Sequence, residues 1–156
     1  SFKTRYPEIT LDIFGEPSSI KQESYLEKIQ LMVSENGYSG WVRFRGGILN
    51  SEVPNLAKEF DGFIHAFEGS LDKALLEAVL SRKVVVSSNP EFHLEFHNQK
   101  LGKIDGYLLL VNELDRIFNS SPALLKKEIQ SHAEIALAHH SRQHWLRLVM
   151  KTLKPE

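Results

Sequence analysis

Apolar residues fall into two patterns that alternate along the chain. Short apolar runs bounded by glycine or turn residues predict strands, at 11–14, 41–44, 62–67, 84–86 and 107–111. Stretches in which apolar residues recur every three or four positions predict helices, over 19–36, 70–81 and 121–139. Shorter helices are expected after Pro54, over 112–118 and after Ser141, whereas residues 89–106 show a less regular pattern.

Two of the predicted helices carry clear start signals. Ser19 and Gln22 have the spacing of a capping box, and Gly37 supplies a stop for the same helix. Ser121 followed by Pro122 is typical of a helix start, with serine as the N-cap and proline at the first helical position. The sequence therefore predicts where each of these helices begins.

The alternation of strands and helices favours a parallel sheet covered by helices, which is a Rossmann-like α/β layer. No repeat, low-complexity tract or linker interrupts it, so residues 1–156 are assigned to a single domain. In open parallel sheets, ligands bind beyond the carboxyl ends of the strands. Three such ends carry glycine, at Gly15, Gly46-Gly47 and Gly69. At Gly69-Ser70 the free amides and the dipole of the predicted helix would suit a phosphate.

Composition limits the classes of function. Apolar residues make up 42% of the chain and charged residues 25%, which is ordinary for a folded domain. The net charge of −1 gives no overall attraction to nucleic acid or lipid. The absence of cysteine excludes disulfides, thiolate catalysis and cysteine-bound metals, and it fits a cytoplasmic location. No apolar run reaches the ~18–20 residues of a membrane span.

Glu77 lies among apolar neighbours in the helix predicted over 70–81. A carboxylate on or near a buried face needs a partner. Glu77 is either paired with a nearby Lys or Arg, or exposed at the edge of the apolar stripe, or a ligand of a bound molecule; the ion pair is the commonest of these cases. No Walker loop and no G-x-G-x-x-G motif accompanies it.

Two pairs of histidines have the spacing of metal ligands. His93 and His97 flank Glu95, and His140 and His144 are four positions apart on a predicted helix. Neither pair has an evident third ligand in the sequence. We therefore expect solvated surface histidines and no metal site.

The segment after Ser141 is amphipathic. Trp145 shares its apolar face with Leu148, Val149 and Leu153, and basic residues surround that face. Such a helix either docks onto a protein domain or binds an anionic membrane surface. Docking is the commoner arrangement and the one we favour, with peripheral membrane contact in a full-length protein as the alternative.

Residues 69–88, GSLDKALLEAVLSRKVVVSS, resemble the C-terminal, donor-binding half of the retaining GT-B glycosyltransferases of family 4. In that family a loop leads into a helix reading L-x-E-A, and a strand reading P-V-V follows. The counterparts here are Leu75–Ala78 and Val84–Val86. The likeness continues, in the right order, through YPEITLDIFGEP, GWVRFRGGI and AHHSRQHWLRLVMKTL, which are similar to two strands and the terminal helix of the family.

The resemblance implies that a nucleotide-sugar, such as a UDP- or GDP-hexose, binds between two Rossmann domains without a metal cofactor. Its glycosyl group would pass to an acceptor with retention, in polysaccharide or glycolipid synthesis. The residues that it implies for donor binding are Gly15, Gly46, Gly47, Gly69, Ser70, Leu71, Lys73 and Glu77. Glu77 would accept hydrogen bonds from the ribose hydroxyls, and amides near Gly69 would hold the diphosphate or the sugar.

The chain departs from the family pattern around its candidate catalytic position. Gly69 stands where the family has its first glutamate, and Glu68 or Asp72 are the candidate replacements as the catalytic carboxylate. The segment 81–83 replaces the usual Gly-x-Pro before the last strand. These departures make a second hypothesis necessary, namely a non-catalytic Rossmann-like module that serves binding or assembly.

Other parts of the family pattern would lie before Ser1. They are the acceptor-binding N-terminal domain, two basic residues that hold the diphosphate, and a first strand placed centrally between those at 11–14 and 62–67. The chain begins without Met. We therefore expect it to be a piece of a larger enzyme, and we expect these 156 residues alone not to transfer sugar.

Overall fold

The computed structural model describes residues 2–49, 51–67, 69–101 and 106–144. The chain is a mixed α/β protein with small parallel sheets flanked by helices. It divides into two compact units, Ser1–Val53 and Pro54–Glu156. Two compact units are compatible with either one or two domains, so the single-domain assignment stays a prediction.

The first unit contains one parallel pair of strands and a long helix. Its elements are α1 (Phe2–Arg5), β1 (Leu11–Phe14), α2 (Ile20–Glu35) and β2 (Val42–Gly46). Leu11 lies beside Val42, and an irregularity after Ile13 places Phe14 beside Gly46. Both strands predicted for this part of the chain are confirmed.

Helix α2 begins where the sequence predicts. The Ser19 hydroxyl accepts a hydrogen bond from the Gln22 amide, and the Gln22 side chain accepts one from the Ser18 amide at 2.6 Å. The return bond of the capping box therefore reaches one residue further back than expected. None of the described residues of α2 is buried, so its apolar stripe is not covered as the periodicity suggested.

The second unit begins within a short helix, α3 (Val53–Leu56), which a 3₁₀ turn (Ala57–Glu59) follows. Its further elements are β3 (Gly62–His65), α4 (Lys73–Leu80), β4 (Val84–Ser87), α5 (Pro90–His97), α6 (Gly106–Asn119) and α7 (Pro122–His139). Strands β3 and β4 are parallel and in continuous register from the Gly62–Val84 pair to the His65–Ser87 pair. With α4 between them they form a βαβ unit.

The core of the second unit lies between α4, β4, α5 and α7. Its buried apolar side chains are Leu75, Ala78, Val79, Val85, Phe92, Phe96 and Ala136. The stripe predicted for the helix at 70–81 is buried at Leu75 and Val79, and Leu71 and Leu76 pack against the core. Leu80, also in that stripe, is exposed. The three valines of β4 explain the strength of its strand signal, because β-branched side chains pack well on a buried pleated surface.

The single sheet expected from the sequence is wrong for the described strands. They form two separate two-stranded parallel sheets, β1 with β2 and β3 with β4. The strands at 11–14 and 62–67 therefore belong to different sheets. The coarse prediction of parallel strands flanked by helices is confirmed.

Two predictions after β4 are wrong. Residues 107–111 are not a strand but the beginning of α6, because a short apolar run fits a helix as well as a strand. Residues 89–106, for which no element was predicted, include α5. Asn89 followed by Pro90 is the same start signal as Ser121 followed by Pro122, and both asparagine and serine act as N-caps here.

The end of the described chain is helical. The His144 amide donates to the Ser141 hydroxyl at 3.1 Å, as expected for a helix that begins there. Trp145 and the rest of the amphipathic segment lie outside the described residues. Among the described residues, no helix is both long enough and apolar enough to cross a membrane.

Candidate functional site

Three polar side chains join the carboxyl ends of β3 and β4 to the amino end of α4. His65 is the last residue of β3, Ser87 is the last of β4, and Asp72 is the N-cap of α4. His65 Nε2 lies 3.0 Å from Asp72 Oδ2, and His65 Nδ1 lies 3.2 Å from the Ser87 hydroxyl. This edge of the sheet is where open α/β folds bind ligands.

The hydrogen bonds of this network have one consistent direction. The Asn89 amide donates to the Ser87 hydroxyl at 3.0 Å, so that hydroxyl can donate its proton to His65 Nδ1. His65 then carries its proton on Nε2 and donates it to the Asp72 carboxylate. The order of serine, histidine and acid matches that of a hydrolase triad, but Ser87 is 1% exposed and has no access to a substrate. The network therefore holds the two strand ends and the helix start together.

Asp72 fixes the start of α4 three residues later than predicted. Its Oδ1 accepts the Leu75 amide at 2.9 Å, which is the N-cap hydrogen bond. The helix start predicted at Gly69-Ser70 is therefore wrong, because Asp72 both caps the helix and bonds to His65 at the end of β3. The carboxylate also occupies the place where the positive end of the helix dipole would otherwise attract a phosphate.

Burial alone would raise the pKa of Asp72. The hydrogen bonds from His65 and from the Leu75 and Ala74 amides outweigh burial and hold the pKa below its ordinary value. A depressed carboxylate pKa stabilises the folded state above the unfolded pKa, and this contribution disappears as the pH falls through the folded pKa.

Asp72→Asn is expected to flatten the pH dependence of stability below about pH 5. Asparagine keeps the capping oxygen but loses the charge, so the variant should be less stable than the original by about 1 kcal/mol at pH 7. The difference should shrink as the pH falls below about 4, the ordinary aspartate pKa. Denaturant unfolding from pH 7 to pH 3 measures it, with Asp61→Asn as the control for removing an exposed carboxylate. If the difference in unfolding free energy between the variant and the original stays constant from pH 7 to pH 3, the pKa of Asp72 is not lowered in the folded state.

Asn89 organises the loop that follows β3. It is fully buried, and its side-chain amide donates to the carbonyl oxygens of Phe67 at 3.0 Å and Gly69 at 2.9 Å. Its side-chain oxygen accepts the Phe92 amide at 3.0 Å and so caps α5. One side chain thus links the candidate ligand loop to the end of β4. Glu68, a candidate catalytic residue, lies outside the described residues.

The predicted phosphate-binding residues Gly69, Ser70 and Leu71 lie in this loop and not in a helix. A Cβ atom at Gly69 would overlap with the ring of Phe67, which covers the glycine. A glutamate at this position, as in the family pattern, would require the exposed Phe67 ring to move. Because that ring is the exposed end of a flexible side chain, it can move at little cost, and the contact does not by itself require glycine.

Lys73 and Glu77 form an ion pair across one turn of α4. Lys73 Nζ lies 3.2 Å from Glu77 Oε1, with the two side chains 71% and 35% exposed. This is the ordinary arrangement that the sequence favoured for a glutamate at the edge of an apolar stripe. Exposed i, i+4 pairs are worth only about 0.3–0.5 kcal/mol, so either side chain is available to a ligand at little cost. The role of Glu77 as a ribose ligand stays a prediction.

The remaining predicted glycines lie in the first unit. The Gly15 amide donates to the Gly46 carbonyl at 2.9 Å, and Gly46 has a positive φ of 73° that favours glycine. A Cβ atom at Gly47 would lie 2.6 Å from Glu16 Cδ. The structure therefore brings Gly15, Gly46 and Gly47 together at the carboxyl ends of β1 and β2, with the Glu16 side chain against them.

The histidine pairs have different surroundings. His93 is buried, so the expectation of a solvated surface histidine is wrong for it, and His132 on α7, which no sequence pattern marked, is also buried. Burial lowers the pKa of His97 and lowers that of His132 to about 4, so both rings are neutral at pH 7. His140 instead shares an exposed carboxylate, Glu95, with its neighbour on α7.

The network residues His65, Ser87 and Asn89 were missed by sequence reasoning. A usable signal was present for two of them, because Ser87 and Asn89 are polar residues just after the strand predicted at 84–86. His65 lies inside the strand predicted at 62–67, and only the observed end of β3 marks it. No family model, no curated protein and no solved structure matches the chain.

Proposed function

We propose that this chain binds a nucleotide-activated sugar and is the donor-binding part of a retaining glycosyltransferase. The observation that carries the proposal is the edge formed by His65, Asp72 and Ser87. It gathers the ends of two parallel strands and the start of the helix that bears the L-x-E-A element. This is the position of ligands in open α/β sheets, and the sequence motifs follow the order of the family that the sequence resembles.

Glu77 is suited to the ribose. Leu75 on the same helix is fully buried and anchors α4, whereas Glu77 keeps access to solvent. A carboxylate accepts two hydroxyl donors, which matches the paired hydroxyls of a ribose. When Glu77 accepts these hydrogen bonds, its exposed ion pair with Lys73 would break. The lysine would then be close to the negatively charged diphosphate.

The diphosphate would be held by the loop before α4. Asp72 already fills the helix start with negative charge, so the donors to a phosphate would be the amides of Gly69, Ser70 and Leu71 together with Lys73. In glycosyl transfer these groups stabilise the charge that develops on the leaving diphosphate. The sugar and the acceptor would be selected elsewhere in the full protein.

Calorimetric titration with UDP- and GDP-hexoses tests the proposal. Glu77→Ala should weaken nucleotide-sugar binding by about 10- to 100-fold, because it removes charge-assisted hydrogen bonds worth about 1.5–3 kcal/mol. Glu134→Ala removes an exposed helical glutamate on α7 and should leave binding unchanged. Since the proposal allows for an upstream strand, the titration is repeated with a longer chain that includes residues before Ser1. Absence of binding in both chains would refute donor binding.

A second candidate function is a binding or assembly module without catalysis. The observation that favours it is at the family's first glutamate position, where Gly69 lies under the Phe67 ring and Asp72 is engaged as an N-cap. Nucleotide binding without sugar transfer by the longer chain, in the presence of acceptor lipids or glycans, would support this candidate. Sugar transfer by that chain would exclude it.

A further inference from the structure

Three histidines and a glutamate meet between α5 and α7. His93 and His97 are four positions apart on α5, and Glu128 and His132 are four positions apart on α7, so each pair lies on one face of its helix. One donor atom from each of His97, Glu128 and His132 lies within 4.8 Å of the other two. The His93 ring is 5.1 Å from the His97 ring between centroids, and the His97 ring is 4.9 Å from that of His132.

Two buried ring nitrogens of this cluster have no hydrogen-bond partner among the described residues, His93 Nδ1 and His97 Nε2. His93 Nε2 lies 2.7 Å from the Ser87 carbonyl oxygen, and since a carbonyl can only accept, Nε2 carries a proton. In the neutral ring the free lone pair is then on Nδ1. Leaving such buried atoms unpaired costs free energy, which a bound ion would relieve.

The ring orientation is also that of a metal ligand. Histidines that bind metals commonly donate their second ring N–H to a backbone carbonyl or a carboxylate, which fixes the tautomer. His93 does so to Ser87. The carboxylate of Glu128 is likewise held in place by a hydrogen-bonding neighbour, because the Arg116 guanidinium donates to both of its oxygens at 2.8 Å. Each oxygen keeps a further lone pair for an ion.

The charges around the cluster allow a cation. Arg116 is bonded to Glu113 as well as to Glu128, so these three side chains together carry a charge of −1. The imidazoles add none while they are neutral. A divalent ion would therefore enter a site that is slightly negative and not one dominated by the arginine.

We propose that His97, Glu128 and His132, with the His93 ring beside them, form a site for a divalent transition-metal ion of the zinc class that joins α5 to α7. Imidazole nitrogens with one carboxylate oxygen suit Zn²⁺ or Co²⁺, whereas Mg²⁺ and Ca²⁺ prefer oxygen ligands. In a tetrahedral site the donor atoms are about 3.3 Å apart, so the distances between the donor atoms of the three side chains must shorten by up to about 1.5 Å when the ion binds. The sequence showed no third ligand for His93 and His97 because the others come from a distant helix.

Co²⁺ titration of the 156-residue chain, followed by visible absorption, tests this site. We expect one equivalent of Co²⁺ with the intense d–d absorption of tetrahedral coordination, displacement by Zn²⁺, and a rise in the unfolding temperature with Zn²⁺ but not with Mg²⁺. Absence of both the absorption and the Zn²⁺-dependent stabilisation would overturn the proposal without any variant.

Variants locate the site. His97→Gln and His132→Gln should each weaken Co²⁺ binding by at least the roughly 100-fold that loss of a supporting residue can cost. His139→Gln is the matched control, since it removes an exposed histidine bonded to Glu95 and should leave the affinity unchanged. Far-UV circular dichroism checks that each variant is folded, and His97, the less buried of the two, remains informative if His132→Gln fails to fold. Unchanged affinity in a folded His97→Gln protein, or loss of binding in His139→Gln alone, would refute the assignment.

Discussion

Phe92→Ala is expected to lower the free energy of unfolding of the second unit by about 3–5 kcal/mol, the range for truncating a buried phenylalanine. Phe92 is 1% exposed and belongs to the core that joins α4, β4, α5 and α7. Its ring lies 5.0 Å from that of Phe96 and 5.7 Å from that of His132. Truncation leaves a cavity bounded by β4 and α7, which cannot both collapse into it.

Chemical denaturation followed by circular dichroism measures this effect. Leu94→Ala is the matched control, because Leu94 lies two residues further along α5 and is exposed, so its truncation should cost well under 1 kcal/mol. A loss below about 1.5 kcal/mol for Phe92→Ala would mean that the site relaxes around the gap and that α5 is not fixed as described. The same change should also loosen the histidines on both sides of the ring, and so weaken Co²⁺ binding.

Elements with strong local signals were predictable from the sequence. Ser19 and Ser121 set the starts of α2 and α7 correctly, because an N-cap side chain satisfies amides within its own turn. The valines of β4 were equally clear, since their shape suits a buried strand. In each case the deciding interaction lies within a few residues.

Other features depended on partners distant in sequence. The run at 107–111 is as apolar as a strand, and so short a run does not distinguish a strand from the first turns of α6. The start of α4 moved to Lys73 because Asp72 gains both a local cap and a bond to His65 on the preceding strand. Helical periodicity predicted the apolar stripe of α4, but it could not predict the hydrogen bonds of Asp72 that fix where the helix begins.

In the candidate site, too, features set by local sequence were predictable and those set by contacts distant in sequence were not. The sequence marked the loop at 69–72 and the helix with the L-x-E-A element as candidates for ligand binding, because glycine and that element are visible directly, and this assignment stays a prediction. It did not indicate that Asn89 holds the loop, or that His97 faces Glu128, because each contact links positions more than 15 residues apart. A search for polar residues just after a predicted strand, such as Ser87, would have led to Asn89.

Asn89→Ala is expected to destabilise the second unit by about 2–3 kcal/mol. It removes the N-cap of α5, worth about 1 kcal/mol, and the two bonds to the Phe67 and Gly69 carbonyls, worth about 1 kcal/mol each when water cannot fully replace them. The loop should also lose its fixed position, so limited proteolysis within residues 69–72 should accelerate.

Asn89→Ser separates the two roles of the side chain. Serine can still cap α5 by accepting the Phe92 amide, but it carries no amide group to reach the loop carbonyls, so its cost should be about 1 kcal/mol less than that of alanine. Proteolytic cleavage within residues 69–72 should be equally fast in both variants if Asn89 holds the loop. If cleavage stays slow in Asn89→Ser, the loop is held by other contacts and only the cap explains the loss of stability. A fixed loop is required for its amides to bind a diphosphate without an ordering cost, so nucleotide-sugar affinity should fall in both variants, and to the same extent.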